Sequence, residues 1–174
     1  MSAARALPPV EPIGTHTISV FVNNKPGVLV RVALVFSRRA FNIESLVVSP
    51  GVEGRFSRMT ITCSGKNDDL GQVVKQLAKL VDVVTAIDHT NDLNYSVEIA
   101  LIKVECAIDA RTEILQIAEH YKSRVVDFGA KALILQAHGS SEKLDALTEL
   151  LRPYNVVELI RSGKLLMARG EGLT

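Results

Sequence analysis

A loop of turn residues precedes an apolar helical pattern near the start of the chain, and its composition suits anion binding. Asn24-Lys25-Pro26-Gly27 follows an alternating segment, and Val28-Leu29-Val30 begins the helical pattern without an acidic residue. The first backbone N–H groups of a helix have no partner inside the helix, and the helix dipole favours a negative charge there. The loop therefore predicts a site for a small carboxylate or phosphate, with Val28 and Leu29 as an apolar wall.

Two explanations of this loop stay open at the level of sequence. Gly27 leaves room for the close approach of a ligand, but a Pro-Gly pair before a helix is also an ordinary turn. Asn24 could donate to a carboxylate and accept from an ammonium, or it could form only its own turn hydrogen bonds. If a ligand binds, a small anion with an aliphatic group, such as an amino acid, fits better than a nucleotide.

The remaining reactive side chains form no recognisable catalytic or metal-binding pattern. The four histidines fall in different predicted elements without HxxxH or HExxH spacing: His16, His89, His120 and His138. Cys63 and Cys106 lie in apolar alternating segments without a CxxC pair, which disfavours metal sensing through histidines and cysteines. Such cysteines predict free thiols and a cytoplasmic location. We therefore expect no catalytic residue and no metal site in this chain.

Composition narrows the class of protein. The chain has 174 residues, 47% of them hydrophobic and 22% charged, which predicts a globular protein with one large core or two small ones. A net charge of +1 argues against nucleic acid or a membrane surface as partner. An RNA-recognition module is disfavoured because tryptophan is absent and aromatics make up 5%. No apolar stretch is long enough to span a membrane, and residues 1–15 are predicted to be a flexible lead without a signal peptide.

The elements that would position the loop follow a βαββαβ order within residues 16–90. Met59, Ile61 and Cys63 are predicted to point inward from a strand, and Leu29, Val32, Ala33 and Phe36 to form the buried stripe of the first helix. The predicted elements are a strand at 16–22, a helix at 27–39, strands at 42–49 and 57–64, a helix at 68–81 and a short strand within 81–90.

The same order repeats after a polar linker at residues 91–96. Residues 97–174 are predicted to contain strands at 97–107, 124–128, 131–138 and 155–161, and helices at 110–122 and 140–152. We therefore predict an α+β protein with two tandem ferredoxin-like βαββαβ domains, in which helices cover one face of each sheet.

The predicted sheets leave surfaces that need a partner. Each has one face without helices, and the strand at 42–49 is an apolar edge, so at least a dimer is expected. Helix 27–39 carries apolar residues beyond its predicted stripe, which indicates a second neighbour: Val28, Val30, Leu34 and Val35. Four arginines are expected to form a solvated face that could contact another protein: Arg38, Arg39, Arg55 and Arg58.

Several stretches carry a resemblance to a known family. They are "HTISVFVNNKPGVLVRVALVFSRRAFNIESLVVSP", "SRMTIT", "KQLAKLVDVV", "ALIKV" and "RSGKLLMARG". Together they resemble the small, regulatory subunit of acetohydroxyacid synthase, also called acetolactate synthase. "FSRRAFNIESL" followed by "SRMTI" is specific to that family, whereas ACT domains in general share only the Pro-Gly turn and the βαββαβ plan. The resemblance implies an ACT domain at 16–90, for effector binding and dimerisation, and a C-terminal ACT-like domain at 97–174.

The resemblance implies a regulatory rather than a catalytic role. A separate large subunit would hold thiamine diphosphate, magnesium and FAD and catalyse acetolactate synthesis, and this chain would hold no cofactor. The small subunit would activate that partner and confer feedback inhibition by valine, or by leucine or isoleucine, in branched-chain amino acid biosynthesis. An ACT-type amino-acid sensor that regulates another enzyme is the alternative.

The resemblance also implies where the effector binds. Two ACT domains would pair side by side as a homodimer, with the effector at their interface. One chain would hold its carboxylate and amine, and the partner chain would close the site. Val28 stands where the family often has alanine, which could narrow the pocket. The implied residues are Asn24, Gly27, Val28 and Leu29 from one chain and Asn42 and Ile43 from the other.

Overall fold

Two βαββαβ units follow one another in this computed structural model, which describes residues 13–172 and 174. Most of the predicted flexible lead, residues 1–12, lies outside the described residues, and Ile13 already belongs to the first strand. A 3₁₀ turn at Asn67–Asp69 replaces the predicted start of the second helix. The N-terminal half consists of β1 (Ile13–Asn23), α1 (Val28–Arg38), β2 (Asn42–Pro50), β3 (Phe56–Lys66), α2 (Leu70–Leu77) and β4 (Val83–Asp88).

The C-terminal half repeats this order and adds one strand. The two sheets have equivalent strand orders, β2-β3-β1-β4 and β6-β7-β5-β8, so the predicted α+β class with two ferredoxin-like units is confirmed. The added strand, β9, was not predicted. The elements are β5 (Asn94–Glu105), α3 (Arg111–His120), β6 (Arg124–Phe128), β7 (Ala132–Gly139), α4 (Ser141–Leu151), β8 (Val156–Arg161) and β9 (Leu165–Ala168).

The core of the N-terminal half lies between its sheet and its helices. Met59, Ile61 and Cys63 point inward as predicted and are buried. The predicted stripe of α1 was wrong in part, because Leu29 is 41% exposed. The buried residues of α1 are instead spaced i, i+4, i+7 and i+8 from the first helical residue, which is the spacing of one helix face. They are Val28, Val32, Val35 and Phe36.

Because the buried face of α1 differs from the predicted one, the expectation that this helix has a second neighbour also needs correction. Val28 and Val35 pack into the core of the N-terminal half. Only Val30 and Leu34 of the four apolar residues named for that neighbour are exposed, at 62% and 46%. The apolar surface that α1 offers to solvent is therefore formed by Leu29, Val30 and Leu34.

The outer face of the first sheet is covered by the chain itself. The first four residues of β5 pair with β9, from Asn94 opposite Ala168 to Val97 opposite Leu165, and form a two-stranded ribbon. The ribbon and the outer face form opposite walls of a cleft of about 990 Å³. Polar residues on this face are at most 8% exposed: Thr17, Ser19, Thr60 and Thr62. The C-terminal half therefore covers much of the face that was expected to need another protein.

The end of α1 predicts a stabilising substitution. Phe41 N donates to Phe36 O at 3.0 Å and Ala40 N donates to Ser37 O at 3.1 Å, while Ala40 has a left-handed φ of +55°. Glycine adopts this conformation without the Cβ penalty. Ala40→Gly is expected to raise the free energy of unfolding by about 0.5–1 kcal/mol, measured by urea denaturation.

The matched control is Ala78→Gly, because Ala78 is exposed and has a right-handed φ of −62°. There the same substitution is expected to lower the free energy of unfolding by about 0.5–1 kcal/mol. Equal effects at the two alanines would contradict the role of the left-handed conformation.

Burial predicts an unreactive thiol at Cys63. Burial, then the charges of Asp88 and Glu44, raise the pKa of the Cys63 thiol to about 12. In a Cys106→Ser variant, Ellman's reagent at pH 8 is expected to label native Cys63 at least about 100-fold more slowly than urea-unfolded Cys63.

The same shift predicts a pH dependence. The folded pKa of Cys63 lies above the unfolded value of about 8.5, so the folded state retains the proton that the unfolded state releases. The contribution to stability is complete below pH 8.5 and is lost progressively as the pH rises toward 12. A Cys63→Ala variant should lack this component of the alkaline loss, and an identical alkaline profile would contradict the assignment.

Candidate functional site

The start of α1 has open backbone donors. Gly27 is the N-cap residue with a left-handed φ of +80°, no side chain caps the helix, and its first turn contains no acidic residue. Val28 N donates weakly to Lys25 O at 3.4 Å, and Arg31 N donates to Gly27 O at 3.3 Å. Between them, the N–H groups of Leu29 and Val30 have no acceptor within the described part of the chain. The helix end predicted from sequence is therefore present.

The space at this helix start is open to a ligand. A Cβ at Gly27 would meet only Arg31 Nη1, at 3.8 Å, so there is no steric obstacle beside the donors. Val28 is 2% exposed and its side chain packs in the core, so it does not narrow this space. Leu29 and Val30 are the apolar side chains that remain exposed in this first turn.

Asp82 is an acidic side chain near the helix start, but it pairs with basic side chains and does not cap the helix. Asp82 forms an ion pair with Arg31, and its second carboxylate oxygen lies 3.9 Å from Lys25 Nζ. Its backbone oxygen accepts a hydrogen bond from Asn23 N at 2.8 Å. Asp82 thus balances the positive charge near the site, and sequence reasoning did not identify it because it lies 51 residues after Arg31.

Asn24 connects the helix start to the loop between β2 and β3. Its Nδ2 donates to Gly54 O at 3.0 Å, and its backbone N donates to Arg55 O at 2.9 Å. The amide donor is therefore used within the protein, and Oδ1 is the atom that could accept from an ammonium group. The two explanations of Asn24 that the sequence left open are thus compatible.

Asn42 and Ile43 lie at the opposite end of the sheet from Gly27. Asn42 pairs with Ser64 near one end of β3, whereas the end of β1 that leads to Gly27 pairs near Phe56. The 11 residues of α1 separate these ends by about 16 Å at the usual helical rise. A single chain therefore brings together Asn24, Gly27, Val28 and Leu29 but not Asn42 and Ile43.

A carboxylate holds the side chain of Asn42. Asn42 Nδ2 donates to Glu44 Oε1 at 2.7 Å, and Ser64 Oγ donates to the same oxygen at 2.5 Å. The hydrogen bond from Ser64, then that from Asn42, holds the pKa of Glu44 below its ordinary value. The amide oxygen of Asn42 stays available at the free edge of β2.

Ser19, His89 and Asp92 are connected by hydrogen bonds in the order of a hydrolytic triad, but the serine is not accessible to a substrate. Ser19 Oγ lies 2.8 Å from His89 Nε2, and His89 Nδ1 lies 3.1 Å from Asp92 Oδ2. Ser19 is 2% exposed and His89 is 5% exposed, so no substrate reaches the hydroxyl. These hydrogen bonds instead hold β1 against the segment that precedes β5. Sequence reading missed it because Ser19 and His89 are 70 residues apart.

Arg58 lies in the cleft between the halves, so the prediction of a solvated face is wrong for this arginine. Its guanidinium lies 5.3 Å from the centre of the Phe21 ring and donates to the backbone oxygen of Thr174. The β9 ribbon covers the strand face from which Arg58 projects. Arg38 and Arg55 are exposed, as expected.

The described residues contain neither a cluster of metal-binding side chains nor a membrane-spanning helix. In residues 13–172 and 174, no group of three or more His, Cys, Asp or Glu side chains could hold a metal ion. No helix in that part of the chain has the length and apolar character needed to cross a membrane.

Comparison with protein families assigns both halves of the chain to known families. Residues 18–85 match the family model described as AHAS small subunit-like ACT domain, and residues 97–170 match the model described as small subunit of acetolactate synthase. The fold and these two matches thus define an ACT-domain protein.

Individual relatives identify the family over most of the chain. The acetolactate synthase small subunit of Mycolicibacterium smegmatis is 42% identical over 156 residues, 90% of this chain and 92% of that protein. A probable acetolactate synthase small subunit of Archaeoglobus fulgidus is 41% identical, over 89% of this chain and 97% of its own. The crystal structure of the acetolactate synthase small subunit from Thermotoga maritima superposes with a TM-score of 0.80 at 33% identity, covering 91% and 99% of the chains. This chain belongs to the acetolactate synthase small-subunit family.

Proposed function

We propose that this chain is the non-catalytic regulatory subunit of acetolactate synthase. It activates a catalytic large subunit and confers feedback inhibition by valine, with leucine and isoleucine as weaker effectors. The observation that carries the proposal is the uncapped start of α1, with free N–H groups at Leu29 and Val30, in a chain of this family. Such a helix start suits the carboxylate of an amino acid.

The proposed effector site uses backbone and side-chain groups in different ways. The N–H groups of Val28, Leu29 and Val30 would bind the carboxylate, because they lie at the positive end of the helix dipole. Asn24 Oδ1 would accept from the ammonium group. The exposed side chain of Leu29 would pack on the aliphatic part of the effector.

A homodimer through β2 would complete the site. The free edge of β2 can pair antiparallel with its copy about a two-fold axis. That pairing would bring Asn42 and Ile43 of the partner subunit to the Pro50 end of β2, which is the end of the sheet where Gly27 lies. Leu29 would lie in this interface, since Arg31 faces Asp82 on the β4 side and a residue two positions earlier is nearly opposite on a helix.

Catalysis would take place in the partner protein. The large subunit would hold thiamine diphosphate, magnesium and FAD, and this chain would need no cofactor of its own. The complex would work in the cytoplasm, in branched-chain amino acid biosynthesis.

Reconstitution tests the proposal. The catalytic large subunit from the same genome is assayed for acetolactate formation alone, with this chain, and with this chain plus valine. We expect activation by the chain and inhibition by valine that depends on the chain. D-Valine is the matched control, because it carries the same charges with the opposite arrangement at the α-carbon.

Two results would refute the assignment. One is an unchanged rate of the large subunit at saturating concentrations of this chain. The other is turnover of pyruvate by this chain alone, supplied with thiamine diphosphate, magnesium and FAD. Titrations with leucine and isoleucine rank the effectors, since a methylene changes affinity by only about 10- to 200-fold.

A further inference from the structure

The turn between β8 and β9 lies tightly against the edge strand of the first sheet. Gly163 is buried in this turn and has a left-handed φ of +80°. A Cβ at Gly163 would lie 2.9 Å from both Cβ and Oγ of Ser45, and 3.3 Å from Cγ2 of Val47. Only glycine therefore allows this turn and β2 to touch without displacement.

The turn is held firmly by the C-terminal half. Ser162 N donates to Ile99 O at 2.9 Å, and Ile99 N donates to Ser162 Oγ at 3.0 Å. Ile99 belongs to β5, the strand between β7 and β8 in the second sheet. The turn is therefore hydrogen-bonded directly to a central strand of the second sheet.

On the other side of the contact, β2 contains a backbone irregularity. It is an edge strand, and its register with β3 shifts between Ile43 and Ser45, which marks a bulge at Glu44. Bulges bend a strand and redirect its side chains. Asn42 and Ile43, which the partner subunit would contribute to the proposed effector site, directly precede this bulge.

A cavity lies beside this contact between the turn and β2. It measures about 340 Å³, and its lining includes Thr62, Glu44 and Ser45 on one side and Gly163 and Lys164 on the other. Thr62 Oγ1 is buried and has no hydrogen-bond partner among the described residues. The halves therefore touch closely at Gly163 and are less closely packed next to it.

We propose that the contact of Gly163 with Ser45 and Val47 couples the effector site to the C-terminal half. A shift of β2 when the effector binds would press on the turn or release it, and β5 would carry the change into the second sheet. The proposal rests on the proposed function in one respect, namely that the effector binds beside β2. Coupling of this kind requires an element whose position depends on both sites, and β2 meets that requirement.

The test compares Gly163→Ala with Gly170→Ala in the full chain. Gly170 has a similar φ of +72°, but a Cβ there would meet nothing within 4 Å, so it reproduces the backbone strain without the contact. The affinity of the chain for valine is measured by calorimetry with and without the large subunit. The ratio of these two affinities is the coupling factor. Gly163→Ala is expected to reduce this factor about fivefold or more, while Gly170→Ala preserves it.

Two further measurements test the contact, one with a second substitution and one that does not depend on the effector. Ser45→Gly is expected to restore the coupling factor of Gly163→Ala, because the added methyl group takes the space of the removed side chain. Hydrogen exchange of residues 42–47 in the free chain should increase in Gly163→Ala and not in Gly170→Ala. If Gly163→Ala does not fold, Ser45→Gly alone removes the contact without strain and is expected to reduce the coupling factor.

The outcomes separate this proposal from the proposed function. If the unaltered chain does not bind valine, the proposed function is wrong, and hydrogen exchange alone decides the coupling. Equal exchange at residues 42–47 in the Gly163 and Gly170 variants, or an unchanged coupling factor in a folded Gly163→Ala or Ser45→Gly chain, would overturn the proposal.

Discussion

Gly27→Asp is expected to abolish valine inhibition while activation of the large subunit persists. The new carboxylate would lie at the N-cap of α1, where it can accept from the N–H groups that the effector would use. Loss of two hydrogen bonds to a charged group lowers affinity by at least about 100-fold. The variant is expected to fold, since aspartate is a favoured N-cap residue and tolerates left-handed backbone better than most residues.

Gly27→Ala is the matched control for this substitution. It has the same strained φ of +80° and no steric conflict, because its Cβ would lie 3.8 Å from Arg31 Nη1. The free N–H groups remain, so valine should bind within a few-fold of its original affinity. Calorimetry on both variants tests whether valine binds at the start of α1. Unchanged valine binding to Gly27→Asp would show that the effector site lies elsewhere.

Arg161→Met is expected to have the largest effect on stability. Glu98 is 6% exposed, and Arg161 donates to its Oε2 through Nε at 2.8 Å and Nη2 at 2.5 Å. Burial by itself would lower the pKa of Arg161, but hydrogen bonds with Asp145 and Glu98 raise it above its ordinary value. Without the guanidinium, the buried carboxylate of Glu98 would keep one hydrogen bond among the described residues, from the Ser141 hydroxyl at 2.6 Å. The expected loss is about 3 kcal/mol in the free energy of unfolding.

A matched arginine and a second substitution make this measurement specific. Arg152 pairs with Glu149 at 3.2 Å, but their side chains are 73% and 69% exposed, so Arg152→Met should change stability by less than about 0.5 kcal/mol. Glu98→Gln in the Arg161→Met chain should recover much of the loss, because it removes the unpaired charge. Equal losses from Arg161→Met and Arg152→Met in urea denaturation would contradict the importance of burial.

Local patterns were sufficient to predict most of the fold. Alternation predicts β3 with Met59, Ile61 and Cys63 inward, and this is confirmed, because a strand with one buried face repeats every two residues. The buried face of α1 was harder to predict from local pattern. The apolar residues of this helix surround more than one face, so the sequence did not reveal that Val28 rather than Leu29 is buried.

Long-range contacts were the part that the sequence could not predict. β9 is a run of four residues, and its pairing with the start of β5 depends on the whole arrangement of the two halves. Likewise Asp82 meets Arg31 only because β4 lies beside β1. The open helix start was predictable because it depends on residues 24–30 alone, and its role as effector site stays a prediction.

The continuity of β5 has a consequence for how the two units can move. Its first residues pair with β9 over the outer face of the first sheet, and its later residues lie between β7 and β8 in the second. A strand cannot slip by a single residue without turning every side chain to the opposite face. The ribbon and the second sheet therefore share one strand, so a displacement of the second sheet carries with it the ribbon that faces the first sheet.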